Sequence, residues 1–148
     1  KTFLARRVEA LLVADSRHAY LLEGENLLQG LDADLSAADP SFAAERVRRY
    51  GEVARLLIDT GLIVVSTSKT FGINYQRMAE MIRTLVQPAP VIAVHMSRAG
   101  EEPPPNTDLH FAGPQDFDAA ARQILEELKR RGVLIQPSGT KSTIQYSI

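Results

Sequence analysis

The chain is 148 residues long, which predicts a single domain with one sizeable hydrophobic core. With 17 Lys and Arg residues against 18 Asp and Glu residues, the net charge is −1, so we expect neither nucleic acid nor an anionic membrane as a partner. There is no cysteine, which excludes disulfides and thiolate zinc sites. The apolar runs are too short to span a bilayer and no signal-peptide pattern is visible, so we expect a cytoplasmic protein.

Segments with helical and strand patterns alternate along the sequence. Leu4, Val8 and Leu11 recur at the spacing of one helix face, whereas residues 62–65 (LIVV) form a short β-branched run after Gly61. This alternation predicts a parallel three-layer α/β sheet with flanking helices. The predicted elements are helix 2–17, strand 19–22, a short helical turn over 26–31, helix 39–60, strand 62–65, helix 74–85, strand 91–96, strand 108–111, a helix after Gly113-Pro114, and a last strand with a tail within 133–148.

An acidic turn, residues 23–26 (EGEN), follows the first predicted strand. The carboxyl ends of strands are where ligands bind in open α/β sheets. Carboxylate oxygens suit both Mg²⁺ and the proton of a reacting hydroxyl, so this turn is a candidate metal or general-base site. A solvated turn without a function is the alternative that composition alone favours.

Three arginines, Arg46, Arg48 and Arg49, lie in the first half of the second long helix. Their forked donors could bind a phosphate or a sulfate group. The alternative interpretation is a solvent-exposed helix face, and Arg49 in particular could be of this kind.

Lys1-Thr2, directly before the first helix, has the form of the last two residues of a phosphate-binding loop, G-x-x-x-x-G-K-[ST]. Two residues alone are a weak signal. His18, His95 and His110 show no spacing typical of metal ligands, so structural roles are expected for them.

The acidic turn and three further segments together resemble the adenylylsulfate kinase family. The matching segments are residues 23–31 (EGENLLQGL), 45–56 (ERVRRYGEVARL), 59–65 (DTGLIVV) and 102–109 (EPPPNTDL). The resemblance extends nearly to Leu134 and implies a fold like that of P-loop nucleoside-triphosphate hydrolases. It also implies transfer of a phosphoryl group from ATP to the 3′-hydroxyl of adenylylsulfate.

The resemblance implies ATP with Mg²⁺ and adenylylsulfate as ligands, and a homodimer or a fusion to a sulfate adenylyltransferase as possible assemblies. Each implied role falls on a residue at a matching position. The implied roles are phosphate contact for Lys1, Mg²⁺ contact for Thr2 and Glu25, catalysis for Glu25, and substrate binding for Asn26, Arg48 and Thr70.

The sequence also departs from the family pattern. Leu28 replaces a substrate-binding arginine, and only Ser97 to Gly100 stand where the family has a lysine-rich lid. The family's central strand would precede Lys1, so we expect residues upstream of Lys1 to complete a domain over 1–136, followed by a tail over 137–148. Two alternatives stay open: a catalytically degenerate domain with a structural or regulatory role in a sulfate-activating assembly, and a kinase for another small hydroxylated substrate.

Overall fold

The computed structural model of the protein describes residues 1–67 and 73–134. The predicted alternation is confirmed within these ranges, with boundaries shifted by up to four residues. None of the helices in the described ranges is both long and apolar enough to cross a membrane. The helices are α1 (Thr2–Ala14), α2 (Phe42–Asp59), α3 (Tyr75–Leu85) and α4 (Phe117–Arg130); the strands are β1 (Ala19–Glu23), β2 (Ile63–Thr67), β3 (Val94–Ser97) and β4 (Leu109–Ala112); a 3-10 helix spans Gly24–Leu27.

The ends of the elements follow from local chemistry. The side chain of Asp116 accepts hydrogen bonds from two backbone amides of the first turn of α4, and Asn74 caps α3 in the same way. Gly61, just after α2, has a φ of +89°, the left-handed conformation that favours glycine after a helix. Leu134 lies in a turn after α4, and the strand predicted within 133–148 otherwise falls outside the described residues.

The strands pair in parallel, as predicted, but the sheet is divided into two parts. Strand β1 pairs with β2, with Ala19 opposite Ile63, and β3 pairs with β4, with Val94 opposite Leu109. No strand of the described ranges joins β2 to β3. The expected continuous sheet is therefore present as two separate two-stranded sheets.

Helices cover both faces of these strands. On one face, α1 and α4 form a core with Leu12, Phe111 and Ile124, and the side chains of Ile63 and Val65 pack against it. On the other face, Val64 packs against a second core that α2 and α3 supply. Because alternate side chains of β2 point to opposite faces, the layer order is helices, strands, helices.

A cavity of about 390 Å³ lies between β2 and β3. It is lined by residues 62–67, by residues 89–96 and by apolar side chains of α1, α3 and α4. We call it the central slot. Ile63, Val64 and Val65 are only half-buried although they lie in the middle layer, because the slot leaves one side of β2 uncovered.

The polar backbone groups that border the central slot can be assigned from the strand pairing. The amide of Ile63 donates to the carbonyl of His18, so the amides of alternate residues, Val64 and Ser66, point to the opposite side. The carbonyl of Ser97 accepts from Gly113 on the β4 side, which turns the amides of Val94 and Met96 toward the slot. The walls of the slot thus carry backbone amide donors from the edges of two strands, β2 and β3.

Gly51 sets the close approach of α2 to α3. A Cβ atom at this position would lie 2.5 Å from Cδ1 and 3.3 Å from Cβ of Leu85, so a larger side chain must displace the Leu85 side chain from its packing between the helices. We expect Gly51→Val to lower the free energy of unfolding by about 1–3 kcal/mol through overpacking. Urea denaturation measures this change. Gly30→Val is the matched control, because no heavy atom lies within 4 Å of a Cβ there, and equal losses in both variants would contradict the packing explanation.

Candidate active site

The acidic turn lies at the carboxyl end of β1. Strand β1 ends at Glu23, and the buried Gly24 starts the 3-10 helix that presents Glu25 and Asn26 to solvent. The carboxylate of Glu23 lies 3.8 Å from the guanidinium of Arg6 in α1. This ion pair brings the acidic turn next to the first turns of α1.

Lys1 and Thr2 lie at the same edge of the strands. Lys1 is the N-cap of α1, and its carbonyl accepts from the amide of Ala5. Lys1 borders the central slot, as do Ser66 and Thr67 at the end of β2. Both Lys1 and Thr2 are exposed. The structure therefore places four predicted site residues at one edge: Lys1, Thr2, Glu25 and Asn26.

Tyr50 holds the ends of β1 and β2 together. Its hydroxyl lies 2.8 Å from the carbonyl oxygen of Leu22 and 3.0 Å from that of Thr67, and it is also hydrogen-bonded to the hydroxyl of Ser66. Burial raises the pKa of Tyr50, so the phenol keeps its proton and remains a donor. Tyr50 was not among the predicted site residues; a tyrosine within a helix, which needs a polar partner for its hydroxyl when buried, was the available signal.

The three arginines in the first half of α2 have different roles. Arg46 pairs with the buried Asp32 at 3.4 Å, and Arg49 pairs with Asp34 and with Glu45, 2.8 Å away. These contacts attach the loop after the 3-10 helix to α2. The interpretation of Arg49 as a solvated side chain is wrong, because only 19% of it is exposed.

Arg48, the predicted substrate ligand, makes a two-point contact with Glu45, with both distances at 2.8 Å. Hydrogen bonds from Arg48 and then from Arg49 lower the pKa of Glu45 to about 2, so this carboxylate stays charged near neutral pH. About half of the Arg48 side chain is exposed, and a ligand would have to compete with Glu45 for it. Thr70, the other predicted substrate ligand, lies outside the described residues.

The donors at this edge fit Mg²⁺ chemically. Thr2 offers a hydroxyl and Glu25 a carboxylate, both hard oxygen ligands. Among residues 1–67 and 73–134, no group of three or more His, Cys, Asp or Glu side chains could hold a metal ion. Mg²⁺ is commonly held by one or two side chains together with water and substrate phosphates. A set of only two protein ligands, Thr2 and Glu25, therefore suits a metal that arrives with a nucleotide.

Asp108 fixes the loop that connects β3 to β4. Its carboxylate accepts from the amide of Ala93 at 2.6 Å and pairs with Arg83 at 2.9 Å and with Arg131 at 2.8 Å. Burial alone would raise the pKa of Asp108, but the hydrogen bonds from Ala93 and Arg131 outweigh it and lower that pKa. The sequence indicated the segment but not this role, because the partners come from three distant parts of the chain.

Comparison with known proteins agrees with these observations. The profile of the family described as Adenylylsulphate kinase matches residues 1–104. The adenylyl-sulfate kinase of Aeromonas hydrophila subsp. hydrophila is 41% identical over 86 residues, which are 58% of this chain and 42% of that protein. The chain thus spans less than half the length of this curated relative.

Two solved structures have a similar fold. The Mycobacterium tuberculosis APS kinase CysC in complex with AMPPNP and APS matches with a TM-score of 0.70 and 23% identity, over 87% of this chain and 90% of that chain. The hexameric APS kinase from Thiobacillus denitrificans matches with a TM-score of 0.71 and 23% identity, over 90% of this chain and 27% of that chain. At these identities the likeness establishes the fold alone, and it confirms the predicted α/β class.

Proposed function

Because this chain belongs to the adenylylsulphate kinase family, we propose that the protein transfers the γ-phosphoryl group of ATP to the 3′-hydroxyl of adenylylsulfate. The observation that carries the proposal is the shared edge of the strands, where Lys1 and Thr2 of α1 and the acidic turn lie together, linked by the Arg6–Glu23 pair. A phosphate-binding cation, a hydroxyl and a carboxylate at one strand edge are the groups that phosphoryl transfer requires.

The proposed roles follow from the chemistry of each side chain. Lys1 binds the phosphates of the nucleotide, and Thr2 and Glu25 would hold Mg²⁺, which would neutralise charge at the phosphates. Glu25 also accepts the proton of the attacking hydroxyl. The hydroxyl oxygen then forms a bond to the γ-phosphorus as the bond to the bridging oxygen breaks, and ADP leaves. Asn26, Arg48 and Thr70 orient the acceptor.

We also propose that the domain over 1–136 is completed by a β-strand that precedes Lys1, with 137–148 as a tail. The central slot supports this, because it lies between two parallel pairs and its walls carry strand-edge amides. Lys1 borders the slot at its carboxyl end, so a strand that rises through the slot would end beside α1. It would connect through α1 to β1 as a parallel crossover unit.

We also propose an assembly and a cellular location for the protein. A homodimer and a fusion to a sulfate adenylyltransferase are both compatible with the family, and the Thiobacillus denitrificans protein, of which this chain matches only 27%, shows that the domain occurs in a longer chain. We propose a cytoplasmic location because ATP, the proposed phosphoryl donor, is available there.

One observation favours a second candidate, a degenerate domain with a structural or regulatory role. Leu28 follows the 3-10 helix of the acidic turn and is 44% exposed, at the position where the family pattern has a substrate-binding arginine. An apolar side chain cannot replace a guanidinium toward a charged substrate. In this case the fold would be kept without turnover.

Calorimetric titration of the full-length protein separates these functions. We expect binding of MgAMPPNP, and binding of adenylylsulfate in the presence of MgADP. Binding of the nucleotide without adenylylsulfate would indicate another hydroxylated acceptor. Absence of binding for both ligands would reject the kinase and favour the degenerate domain. Leu28→Arg is the informative variant, because it should strengthen adenylylsulfate binding only if the site is a kinase site.

A further inference from the structure

The acidic turn is attached to α2 on both sides. Before the turn, the hydroxyl of Tyr50 lies 2.8 Å from the carbonyl oxygen of Leu22 in β1. After the turn, the buried Asp32 pairs with Arg46, which precedes Tyr50 by about one helical turn. Residues at this spacing share one face of a helix, so a single face of α2 holds the chain before and after the turn.

The hydroxyl of Tyr50 also connects the end of β1 to the end of β2. Glu23 is opposite Thr67 in the strand register, and the carbonyl oxygen of Thr67 lies 3.0 Å from this hydroxyl. Only 1% of Tyr50 is exposed and Leu22 is buried as well, so water cannot replace the phenol as a donor to the Leu22 carbonyl. The hydroxyl is thus a fixed point between the two strand ends.

The protons of this hydrogen-bond network have defined places. The phenol has one proton, and its two carbonyl partners can only accept, so they compete for it and the hydroxyl of Ser66 is the donor to the phenol oxygen. Ser66 lies on the same face of β2 as Val64, the face that packs against α2. Removing either hydroxyl therefore breaks the network without taking an apolar side chain out of the core.

The charge of Glu25 acts on the same phenol. Burial is the largest cause that raises the pKa of Tyr50, and the negative charges of Glu25 and then Glu23 add to it, whereas the hydrogen bond from Ser66 opposes the increase. Because the phenol keeps its proton, the two carboxylates of the turn lie near a neutral donor and not near a third negative charge. The network can therefore hold the turn without repelling its carboxylates.

We propose that Tyr50 is a positioning residue for the acceptor side of the active site: its hydroxyl fixes the acidic turn so that Glu25 and Asn26 meet the reacting hydroxyl. The inference rests on the proposed function, in which Glu25 accepts the proton and Asn26 orients the acceptor. Tyr50 is buried, so it acts through the backbone of β1 and not by contact with a substrate. Lys1 and Thr2 do not depend on it, because they belong to α1, which packs in the other core.

Tyr50→Phe in the full-length protein removes the hydroxyl and keeps the ring in the core. We expect kcat with MgATP and adenylylsulfate to fall by about ten- to a hundredfold, since a misplacement of about 1 Å can cost this much. KM for adenylylsulfate should rise, whereas affinity for MgAMPPNP should fall by less than about threefold, because Glu25 is also a proposed ligand of Mg²⁺. Tyr20→Phe is the matched control, because Tyr20 lies in the same strand and 46% of it is exposed.

The two Michaelis constants separate positioning from stability. A loss of folded protein would lower the apparent kcat and leave both KM values unchanged, whereas a displaced turn raises the KM of the acceptor. Ser66→Ala tests the same network from β2 and should change the same constants in the same direction by a smaller factor.

Amide hydrogen exchange provides a readout that needs no turnover. The amide of Leu28 donates to the carbonyl of Glu25 within the turn. We expect this amide to exchange at least about threefold faster in Tyr50→Phe than in the wild type, and at the wild-type rate in Tyr20→Phe. Equal exchange in Tyr50→Phe and the wild type would contradict the positioning role.

The kinetic outcomes distinguish the inference from the function on which it rests. If Tyr50→Phe keeps the kcat and the adenylylsulfate KM of the wild type, or loses affinity for MgAMPPNP to the same degree as for adenylylsulfate, the inference is wrong and the proposed function stands. If the wild type forms no ADP that depends on adenylylsulfate, the proposed function fails and the inference falls with it.

Discussion

In the full-length protein, Glu25→Gln is expected to lower kcat by about a hundredfold to ten-thousandfold, the range typical of removing a general base. Glutamine keeps the size of the side chain but cannot accept the proton of the attacking hydroxyl or balance the charge of Mg²⁺. Glu25 is exposed on the 3-10 helix, so the substitution should not disturb the core. Formation of ADP that depends on adenylylsulfate measures the loss.

Two matched substitutions show whether the effect is specific. Glu126→Gln removes a carboxylate that is 71% exposed on α4 and should leave kcat unchanged. Glu23→Gln removes the partner of Arg6 at the end of β1 and should loosen the site, with a smaller loss that appears in both KM and kcat. If Glu25→Gln keeps the full rate while Glu23→Gln abolishes it, the catalytic carboxylate is Glu23 and our assignment is wrong.

Local structure was predictable because its causes are local. The periodicity of Leu4, Val8 and Leu11 is a property of the segment itself, and α1 buries these positions or packs them against the core. The same holds for Gly61, whose left-handed conformation matches the predicted end of α2. Helix ends were less certain: α1 ends at Ala14 although helix was predicted to residue 17, since residues 15–17 are polar and Ser16 has a left-handed φ of +58°.

Pairings between distant residues were not predictable in the same way. The sequence places Arg46 and Arg49 in the first half of α2, but only the fold shows that they pair with Asp32 and Asp34 of the loop that precedes the helix. In the sequence Tyr50 looks like one more apolar residue of the helix. The structure shows that its hydroxyl is hydrogen-bonded at the ends of β1 and β2. Each of these contacts depends on how the chain returns to itself, which residue type and spacing do not encode.

The predicted site residues that lie together at one edge are those that follow strand ends or helix starts. Glu25 and Asn26 come directly after β1, and Lys1 and Thr2 open α1, so topology alone gathers them at one edge. The contact between the rings of His95 and His110 was not predicted, because the two residues are fifteen positions apart and become neighbours only through the register of β3 with β4. The spacing of residues in the sequence does not show which strands pair in parallel or in which register they pair.

Adding the strand that we propose precedes Lys1 is expected to raise the melting temperature by about 5–15 °C relative to the 148-residue chain. A strand of about five residues in the central slot would cover half-buried side chains of β2 and β3, at about 1.5–3 kcal/mol for each apolar side chain that becomes buried. Ordering the new strand costs about 1–2 kcal/mol per residue, which leaves a net gain of a few kcal/mol. For a domain of this size that gain corresponds to the stated range.

Amide hydrogen exchange shows which residues the added strand protects. We expect the slot-facing amides of Val64, Ser66, Val94 and Met96 to exchange at least tenfold more slowly in the extended protein. Alternate amides such as that of Ile63 already donate within the β1–β2 pair and serve as internal controls. If truncation after Leu134 makes these four amides exchange faster in the 148-residue chain, the C-terminal segment fills the slot. If dilution of that chain makes them exchange faster, a second copy of the chain fills it. Either result would overturn the upstream strand, because the slot admits one strand between β2 and β3.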